Sequence, residues 1–143
     1  MQRTATPTEP VSLAKGDEAP EVTVGPITRT HIVRYAGAGG DFNPIHHDEE
    51  FAKSAGMPTI FAMGLLHGGM VASLAAHWLG LANVRRLRLR FTGQVWPGDE
   101  LTIGGRVERV YEEDGQRLAD CVLEVTRQTG DVALRAQATA RVA

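Results

Sequence analysis

The segment GLLHGGMVASLAAHWLG, from Gly64 to Gly80, is the longest apolar stretch of the chain, and its periodicity is helical. Bulky residues recur at helical spacing, with glycine and alanine between them. The pair Gly68-Gly69 lowers helix propensity by about 2 kcal/mol relative to alanine, so close packing by other parts of the chain is the simplest compensation. The segment therefore predicts a helix that the rest of the chain surrounds. Its glycines and two histidines favour a core helix over a membrane span.

Beyond Gly80 the pattern changes from helix to strand. In residues 84–96, apolar side chains alternate with arginine and glutamine, which predicts a strand with Leu87, Leu89 and Phe91 on its inner face. Further strands are predicted over residues 100–111, 117–128 and 132–142, with Gly104-Gly105 marking a bulge or bend in the first of them. Tight turns such as Pro97-Gly98-Asp99 join these segments, which indicates an antiparallel meander.

The chain before the central helix is shorter and mixed in pattern. We expect a strand near residues 21–24, a helix capped by Thr28 or Thr30 that ends in the glycines at 37–40, and a short helix after Asp48. One long helix followed by antiparallel strands predicts an α+β domain. Its curled sheet wraps around the central helix in the hot-dog arrangement, and the early strand joins that sheet. We assign residues 1–14 to a flexible lead-in and residues 15–143 to this single domain.

Composition limits the classes of function. The chain has 143 residues, 43% of them hydrophobic, and a formal net charge of −2, so neither nucleic acid nor a membrane is expected as a partner. Cys121 is the single cysteine, which excludes an internal disulfide and fits a reducing compartment. The first twenty residues lack the apolar core of a signal peptide, and we expect a cytoplasmic protein.

The segment YAGAGGDFNPIHHD, from Tyr35 to Asp48, holds the candidate chemistry. Asp41 lies five residues before His46, and Pro44 keeps Asn43 out of the helical region, so the segment is expected to form a shaped loop. A carboxylate and an imidazole that share a water form a general acid–base pair. On spacing alone, Asp41 as a turn cap and His46 as an ordinary loop histidine would be preferred. The flanking glycines and the buried helix that follows favour an active site.

The same segment resembles the hydratase 2 motif of MaoC-like proteins, G-D-x-N-P-[IL]-H-x-D. This family includes (R)-specific enoyl-CoA hydratases and (3R)-hydroxyacyl-ACP dehydratases. The resemblance continues through FAMGLLHGGM at residues 61–70 and RLRFTGQVWPGDEL at residues 88–101, and it covers about residues 15–142. It implies an enzyme of fatty acid metabolism, a hydro-lyase that reversibly hydrates a trans-2-enoyl thioester to the (R)-3-hydroxyacyl thioester.

The resemblance also implies roles for individual residues. Asp41 and His46 would hold the water, and Asn43 would fix the loop. The backbone N–H of Gly64 would donate to the thioester oxygen, a role that the free amides and positive dipole end of a helix start also support. Many relatives carry Ala-His-Gly-Met-Leu where this chain has Ala62-Met63-Gly64-Leu65-Leu66.

Several neighbours of these residues are further candidates. Substrate-pocket candidates are Phe61, Met63, Leu65 and His67, although for His67 a buried, hydrogen-bonded role comes first. His47 is a rival of His46, but the motif places the catalytic histidine two residues after Pro44. We expect no metal site and no cofactor, since adjacent residues such as His46, His47 and Asp48 rarely point at one ion.

A basic stripe runs along the strand after the helix. Arg86, Arg88 and Arg90 are candidates for the phosphates of CoA or for the acidic face of an acyl carrier protein. For any single one of them we favour a solvated strand face or ion pairs at a dimer edge.

The expected partners follow from the leading hypothesis and its alternatives. The substrate would be an acyl-CoA or acyl-ACP thioester, and the resemblance implies a homodimer, with a heterodimer or a higher oligomer as the other arrangements. One alternative is the catalytic subunit of a heterodimeric (3R)-hydroxyacyl-ACP dehydratase, which the pattern of Tyr35–Lys53 resembles in particular. A hot-dog thioesterase would not need the arrangement from Asn43 to His46. A non-catalytic acyl-binding or dimerising domain would be expected to lack Asp41 or His46, and both are present.

Overall fold

Three α-helices and five β-strands form the fold in a computed structural model that describes residues 5–143. In chain order they are β1 (Val22–Val24), α1 (Arg29–Gly39), α2 (Glu49–Ser54), α3 (Gly64–Ala75), β2 (Val84–Phe91), β3 (Leu101–Glu113), β4 (Gln116–Arg127) and β5 (Val132–Arg141). Short helical turns lie between some of these elements, at Pro44–His46, Ala76–Gly80 and Leu81–Asn83. The predicted helices and strands are therefore present.

The strands form one antiparallel sheet in the order β1-β3-β4-β5-β2. Helix α3 contacts β2, β3, β4 and β5, so the sheet curls around it. Strand β1 pairs with β3, which confirms that the early strand joins the same sheet. The α+β hot-dog class predicted from the sequence is thus confirmed. Residues Gly64–Asn83 are long and apolar enough to cross a membrane, but their contacts make them the core of this domain.

The predicted four-strand meander is wrong at its first strand. Only β3, β4 and β5 follow one another across the sheet, whereas β2 pairs with β5 at the opposite edge. Strand β2 also ends at Phe91 and not at Trp96. The amides of Thr92 and Gly93 both donate to the carbonyl of Ala133, at 3.0 and 3.2 Å, and the chain then leaves the sheet. Alternation of residue types continues through this connection, so the pattern alone does not mark the end of pairing.

The irregularity in β3 lies further along than predicted. Gly104 and Gly105 keep regular register with Glu124 and Leu123, and the shift falls between Val107 and Arg109. Gly105 has another reason to be glycine. A Cβ there would lie 3.0 Å from the Val122 carbonyl oxygen and 3.0 Å from the Leu123 side chain.

Helix α1 ends where the candidate site begins. Thr28 caps its start by accepting a hydrogen bond from the His31 amide at 3.2 Å, and the His31 ring accepts one from the Thr28 amide at 3.0 Å. At the other end Gly40 adopts a left-handed conformation with φ of 72°. Because glycine takes this conformation without steric cost, the chain turns sharply and Asp41 follows directly.

The small residues of α3 allow strand β2 to pack closely against one side of the helix. A Cβ at Gly68 would lie 3.1 Å from a Leu89 methyl group, so close packing compensates for this glycine as expected. Gly69 has no such contact within the described residues, and Leu65 is 57% exposed. The first turn of α3 is therefore only partly covered by its own chain.

The lead-in makes contacts with the domain. The carbonyl of Val11 accepts from the Ala143 amide at 2.9 Å, that of Glu9 accepts from the Asn83 side chain at 3.2 Å, and Leu13 packs against the core. Residues 1–4 of the predicted lead-in lie outside the described part. The boundary at residue 14 stays a prediction.

Candidate active site

The loop between α1 and α2 brings the two titratable candidates together. His46 Nε2 lies 3.6 Å from Asp41 Oδ2. The Asp41 side chain is 45% exposed, and that of His46 is 9% exposed. Because 3.6 Å is too long for a direct hydrogen bond, both atoms remain available to a third group placed beside them. A water or substrate hydroxyl that contacts both atoms is the simplest such group.

Asn43 and Pro44 shape this loop through local hydrogen bonds and backbone restriction. The Asn43 side-chain oxygen accepts from the Ile45 amide at 3.1 Å, and the Asn43 amide donates to Asp41 Oδ1 at 3.3 Å. Pro44 occupies the first position of the helical turn Pro44–His46, where its missing N–H costs nothing. Asn43 thus connects the orientation of the carboxylate to that of the following turn.

A backbone carbonyl fixes the tautomer of His46. Its Nδ1 lies 2.7 Å from the Phe61 carbonyl oxygen, which can only accept, so Nδ1 carries the hydrogen. In the neutral ring, Nε2 then presents its lone pair toward Asp41. Phe61 also packs its ring against the edge of His46 at 5.1 Å and against Trp96 at 5.7 Å. Sequence reasoning missed this support, because a backbone carbonyl leaves no signal in the residue types.

A cavity of about 340 Å³ lies beside the pair. Its walls include Asp41, Gly64 and all four predicted pocket residues, Phe61, Met63, Leu65 and His67. His46 is not part of the wall, but it lies next to two residues that are, Asp41 and Phe61. Six other residues of the wall were not predicted from the sequence. They are Tyr35 and Gly39 of α1, Ala62, Phe91 at the end of β2, and Gly93 and Gln94 beyond it.

Gly64 is the first residue of α3, and Met63, buried at 3% exposure, precedes it. The amide at this position has no partner within its own helix, and it carries the positive end of the helix dipole. An oxygen that gains negative charge in the cavity would be stabilised there. A Cβ at this position would lie 2.7 Å from the Phe91 ring, so the site has room only for glycine unless Phe91 moves.

His67 differs from its predicted state. The residue is buried at 1% exposure, as expected, but neither ring nitrogen has a hydrogen-bond partner among residues 5–143. The expectation of a hydrogen-bonded histidine is therefore wrong. Burial lowers the pKa of His67 to about 4, so its ring is neutral near pH 7. The ring packs edge-on against Phe91 at 6.0 Å.

We expect His67 to make the domain less stable as the pH falls from about 6.5 to about 4. Its pKa is lowered from 6.5 to about 4 in the folded chain, so across this range the unfolded chain binds a proton that the folded chain does not. His67→Leu should remove this part of the pH dependence. Urea unfolding at several pH values measures the free energy of unfolding as a function of pH. If this pH dependence were the same in the variant and the wild type, the burial of a neutral ring would be contradicted.

The remaining candidates lie away from the cavity. Arg86, Arg88 and Arg90 are exposed on β2, and the first two line a separate depression with Arg109 and Asp120. No cluster of three or more metal-ligating side chains occurs in the part of the chain that the structure describes. Burial raises the pKa of Cys121 to about 12, which leaves its thiol protonated and unreactive.

Comparisons with known proteins point to one family. The family profile of the MaoC like domain matches residues 13–129. Enoyl-CoA hydratase ChsH3 of Mycobacterium tuberculosis is 32% identical over 120 residues, which are 81% of this chain and 40% of that protein. The 3-hydroxyacyl-thioester dehydratase X of the same organism is 44% identical over 52 residues, 36% of this chain and 19% of that protein. The chain thus spans less than half the length of these curated relatives.

Solved structures agree with the profile. A MaoC-like dehydratase superposes with a TM-score of 0.82 at 29% identity, over 94% of this chain and 43% of that one. The R-hydratase PhaJ1 from Pseudomonas aeruginosa gives 0.76 at 26% identity, over 92% and 84%. A chain of the ChsH1-ChsH2 complex from Mycobacterium tuberculosis gives 0.77 at 25% identity, over 93% and 100%.

Proposed function

Because the chain belongs to the MaoC-like family, we propose that it is a hydro-lyase that adds water to a trans-2-enoyl thioester and forms the (R)-3-hydroxyacyl thioester. The reverse dehydration uses the same site. The observation that carries the proposal is the hydrogen bond from His46 Nδ1 to the Phe61 carbonyl, which directs a basic Nε2 toward Asp41 at 3.6 Å. This arrangement suits a pair that holds one water and moves its protons.

In the proposed reaction the water lies between Asp41 Oδ2 and His46 Nε2. Its oxygen bonds to C3 of the substrate while one of its protons passes to the pair. The electron pair of the C2–C3 double bond moves toward the thioester oxygen, and a proton from the pair then reaches C2. Since one water supplies both the hydroxyl and the proton on one face, the addition is syn.

Gly64 supplies the complementary stabilisation. The thioester oxygen gains negative charge in the transition state, and the free amide at the start of α3, which lines the same cavity as Asp41, would donate a hydrogen bond to it. Asn43 acts as a positioning residue, because it ties Asp41 to the turn that carries His46.

A hydration assay tests the proposal. Purified protein with crotonyl-CoA should lose enoyl absorbance and form 3-hydroxybutyryl-CoA with R configuration at C3. Longer and steroid-type enoyl-CoA substrates extend the assay, because the walls of the cavity do not define the acyl group. No turnover of any of them, or an S product, would overturn the proposal for the isolated chain.

A second candidate is the catalytic subunit of a heterodimeric dehydratase. The likeness to a chain of the ChsH1-ChsH2 complex over its full length favours it. An exposed apolar residue in the cavity wall, Leu65 at 57% exposure, fits either kind of dimer. We propose that a second chain covers Leu65, and that this chain is another copy in a homodimer and a different subunit in a heterodimer. Mass measurement in solution separates the cases, since a monomer or activity only with a second subunit would favour the heterodimer.

A further inference from the structure

The two nitrogens of His67 lack partners within the described residues, which is costly for a buried ring. A neutral imidazole carries one donor and one acceptor, and each loses its hydrogen bond to water on burial. The domain could avoid this cost with an apolar residue at position 67. A buried polar group without a partner therefore calls for a group that reaches it in the working state.

The surroundings of His67 restrict that group. His67 lies one helical turn after Gly64, about 4.5 Å further along the axis, and both residues line the cavity that contains Asp41. The Phe91 ring touches both positions, since it packs edge-on against His67 and lies 2.7 Å from a Cβ built on Gly64. Phe91 is 48% exposed, and an outward rotation of its ring would open a path to His67.

We propose that His67 determines specificity by hydrogen-bonding a neutral oxygen substituent, a hydroxyl or carbonyl group, that the acyl chain carries close to its reacting carbons. The preferred substrates would then be oxygen-substituted trans-2-enoyl thioesters, and plain alkyl ones would be poorer. This inference rests on the proposed function. It goes beyond that function by naming the substrate class.

The charge of the cavity favours a neutral substituent. His67 is uncharged in its buried position, and Asp41 is the charged side chain in the wall of the same cavity. A carboxylate on the acyl chain would be repelled by Asp41 and would find no cation among the described residues of the wall. A hydroxyl both donates and accepts, so it can pair with either nitrogen of the ring, whichever carries the hydrogen.

The experiment compares substrates that differ by one hydroxyl. The kcat/KM values of trans-2-hexenoyl-CoA and of its 4-hydroxy and 5-hydroxy derivatives are measured for the wild type, His67→Leu and His77→Leu. We expect the wild type to prefer at least one hydroxylated substrate by about tenfold or more, and His67→Leu to lose that preference. His77 is the matched control, because it is exposed, lies in the helical turn that follows α3 and bonds the Ser73 carbonyl at 2.7 Å.

Binding provides a readout that does not need turnover. Hexanoyl-CoA and 5-hydroxyhexanoyl-CoA lack the double bond, and titration calorimetry gives their affinities for the same three proteins. Turnover without any preference would overturn the role of His67 while the hydratase stands, and would mean that a trapped water satisfies the ring. Preferential binding without turnover would support His67 and contradict the proposed reaction. Failure to bind either thioester would overturn both.

Stability separates recognition from a structural role. If His67 serves the substrate, His67→Leu should unfold at an equal or higher temperature, because it removes an unpartnered polar group and keeps the volume. A clear loss of stability together with an unchanged substrate preference would show that the ring serves the fold.

Discussion

Asp41→Asn and His46→Ala are each expected to lower kcat by at least about 100-fold while the domain stays folded. Asp41→Asn keeps the shape and the hydrogen bond from the Asn43 amide, and it removes the charge that faces His46 Nε2 at 3.6 Å. His46→Ala removes the ring that the Phe61 carbonyl orients. Hydration of crotonyl-CoA under saturating substrate measures the effect, and circular dichroism checks the fold.

Two further variants test whether the loss of activity comes from the chemistry of Asp41 and His46 and not from disruption of the loop. His47→Ala should keep near-normal activity, because His47 is exposed and the motif selects its neighbour. His46→Asn can still donate to the Phe61 carbonyl from its amide, so it preserves the support of the loop and lacks a basic nitrogen toward Asp41. Near-normal activity in either Asp41→Asn or His46→Asn would remove the pair from the mechanism, and a large loss in His47→Ala would shift the role to the neighbour.

Asp99→Asn is expected to destabilise the domain by about 3 kcal/mol. The Asp99 side chain is 4% exposed and receives two hydrogen bonds from Arg127, at 2.7 and 3.0 Å, with further ones from Gln128 at 2.9 Å and the Trp96 amide at 2.8 Å. The amide would leave the mostly buried guanidinium without its main counter-charge. Urea unfolding at pH 7 measures the loss.

The control for this variant shares the same arginine. Asp131 also pairs with Arg127, at 3.3 Å, but its side chain is 71% exposed, so Asp131→Asn should cost less than about 1 kcal/mol. If both variants lost the same free energy of unfolding, burial would not explain the stabilising effect of Asp99.

The effect of Asp99 should depend on pH. Burial alone would raise the pKa of Asp99, but the hydrogen bonds from Arg127, the Trp96 amide and Gln128 outweigh it and hold the pKa below its ordinary value of 3.8. A carboxylate with a lowered pKa stabilises the fold above the unfolded value and loses this contribution as pH falls through the folded value. The difference between wild type and Asp99→Asn should therefore be constant near neutrality and shrink below about pH 4.

The sequence predicted most helices and strands because their signals are local. Thr28 and Gly40 mark the two ends of α1, and alternation marks the strands that follow Gly80. Prediction from the sequence failed for features that depend on which strands pair across the sheet. Alternation cannot tell whether β2 pairs with β3 or β5, and the buried bond of Asp99 to Arg127 joins residues 28 positions apart.

For the candidate site, the sequence predicted many of the residues but not the contacts between them. The motif gave Asp41, Asn43, His46 and Gly64, and proximity to Gly64 gave the pocket residues. The carbonyl of Phe61, which orients His46, has no residue-type signal, and the missing partners of His67 emerge only when its surroundings are in place. Family membership and fold are established by the comparisons.

The loop between α1 and α2 is held to the rest of the domain by few described contacts, chiefly the hydrogen bond from His46 to the Phe61 carbonyl and the packing of Ile45 against the core. Its other bonds, such as those of Asn43, lie within the loop itself, while the sheet is held by long ladders of paired strands. Segments with few buried contacts open at a lower free energy than the domain unfolds. Inactivation should therefore precede denaturation. At moderate urea concentrations the Ile45 amide should exchange its hydrogen rapidly and turnover should cease, while the amide of Leu123 in β4 remains protected.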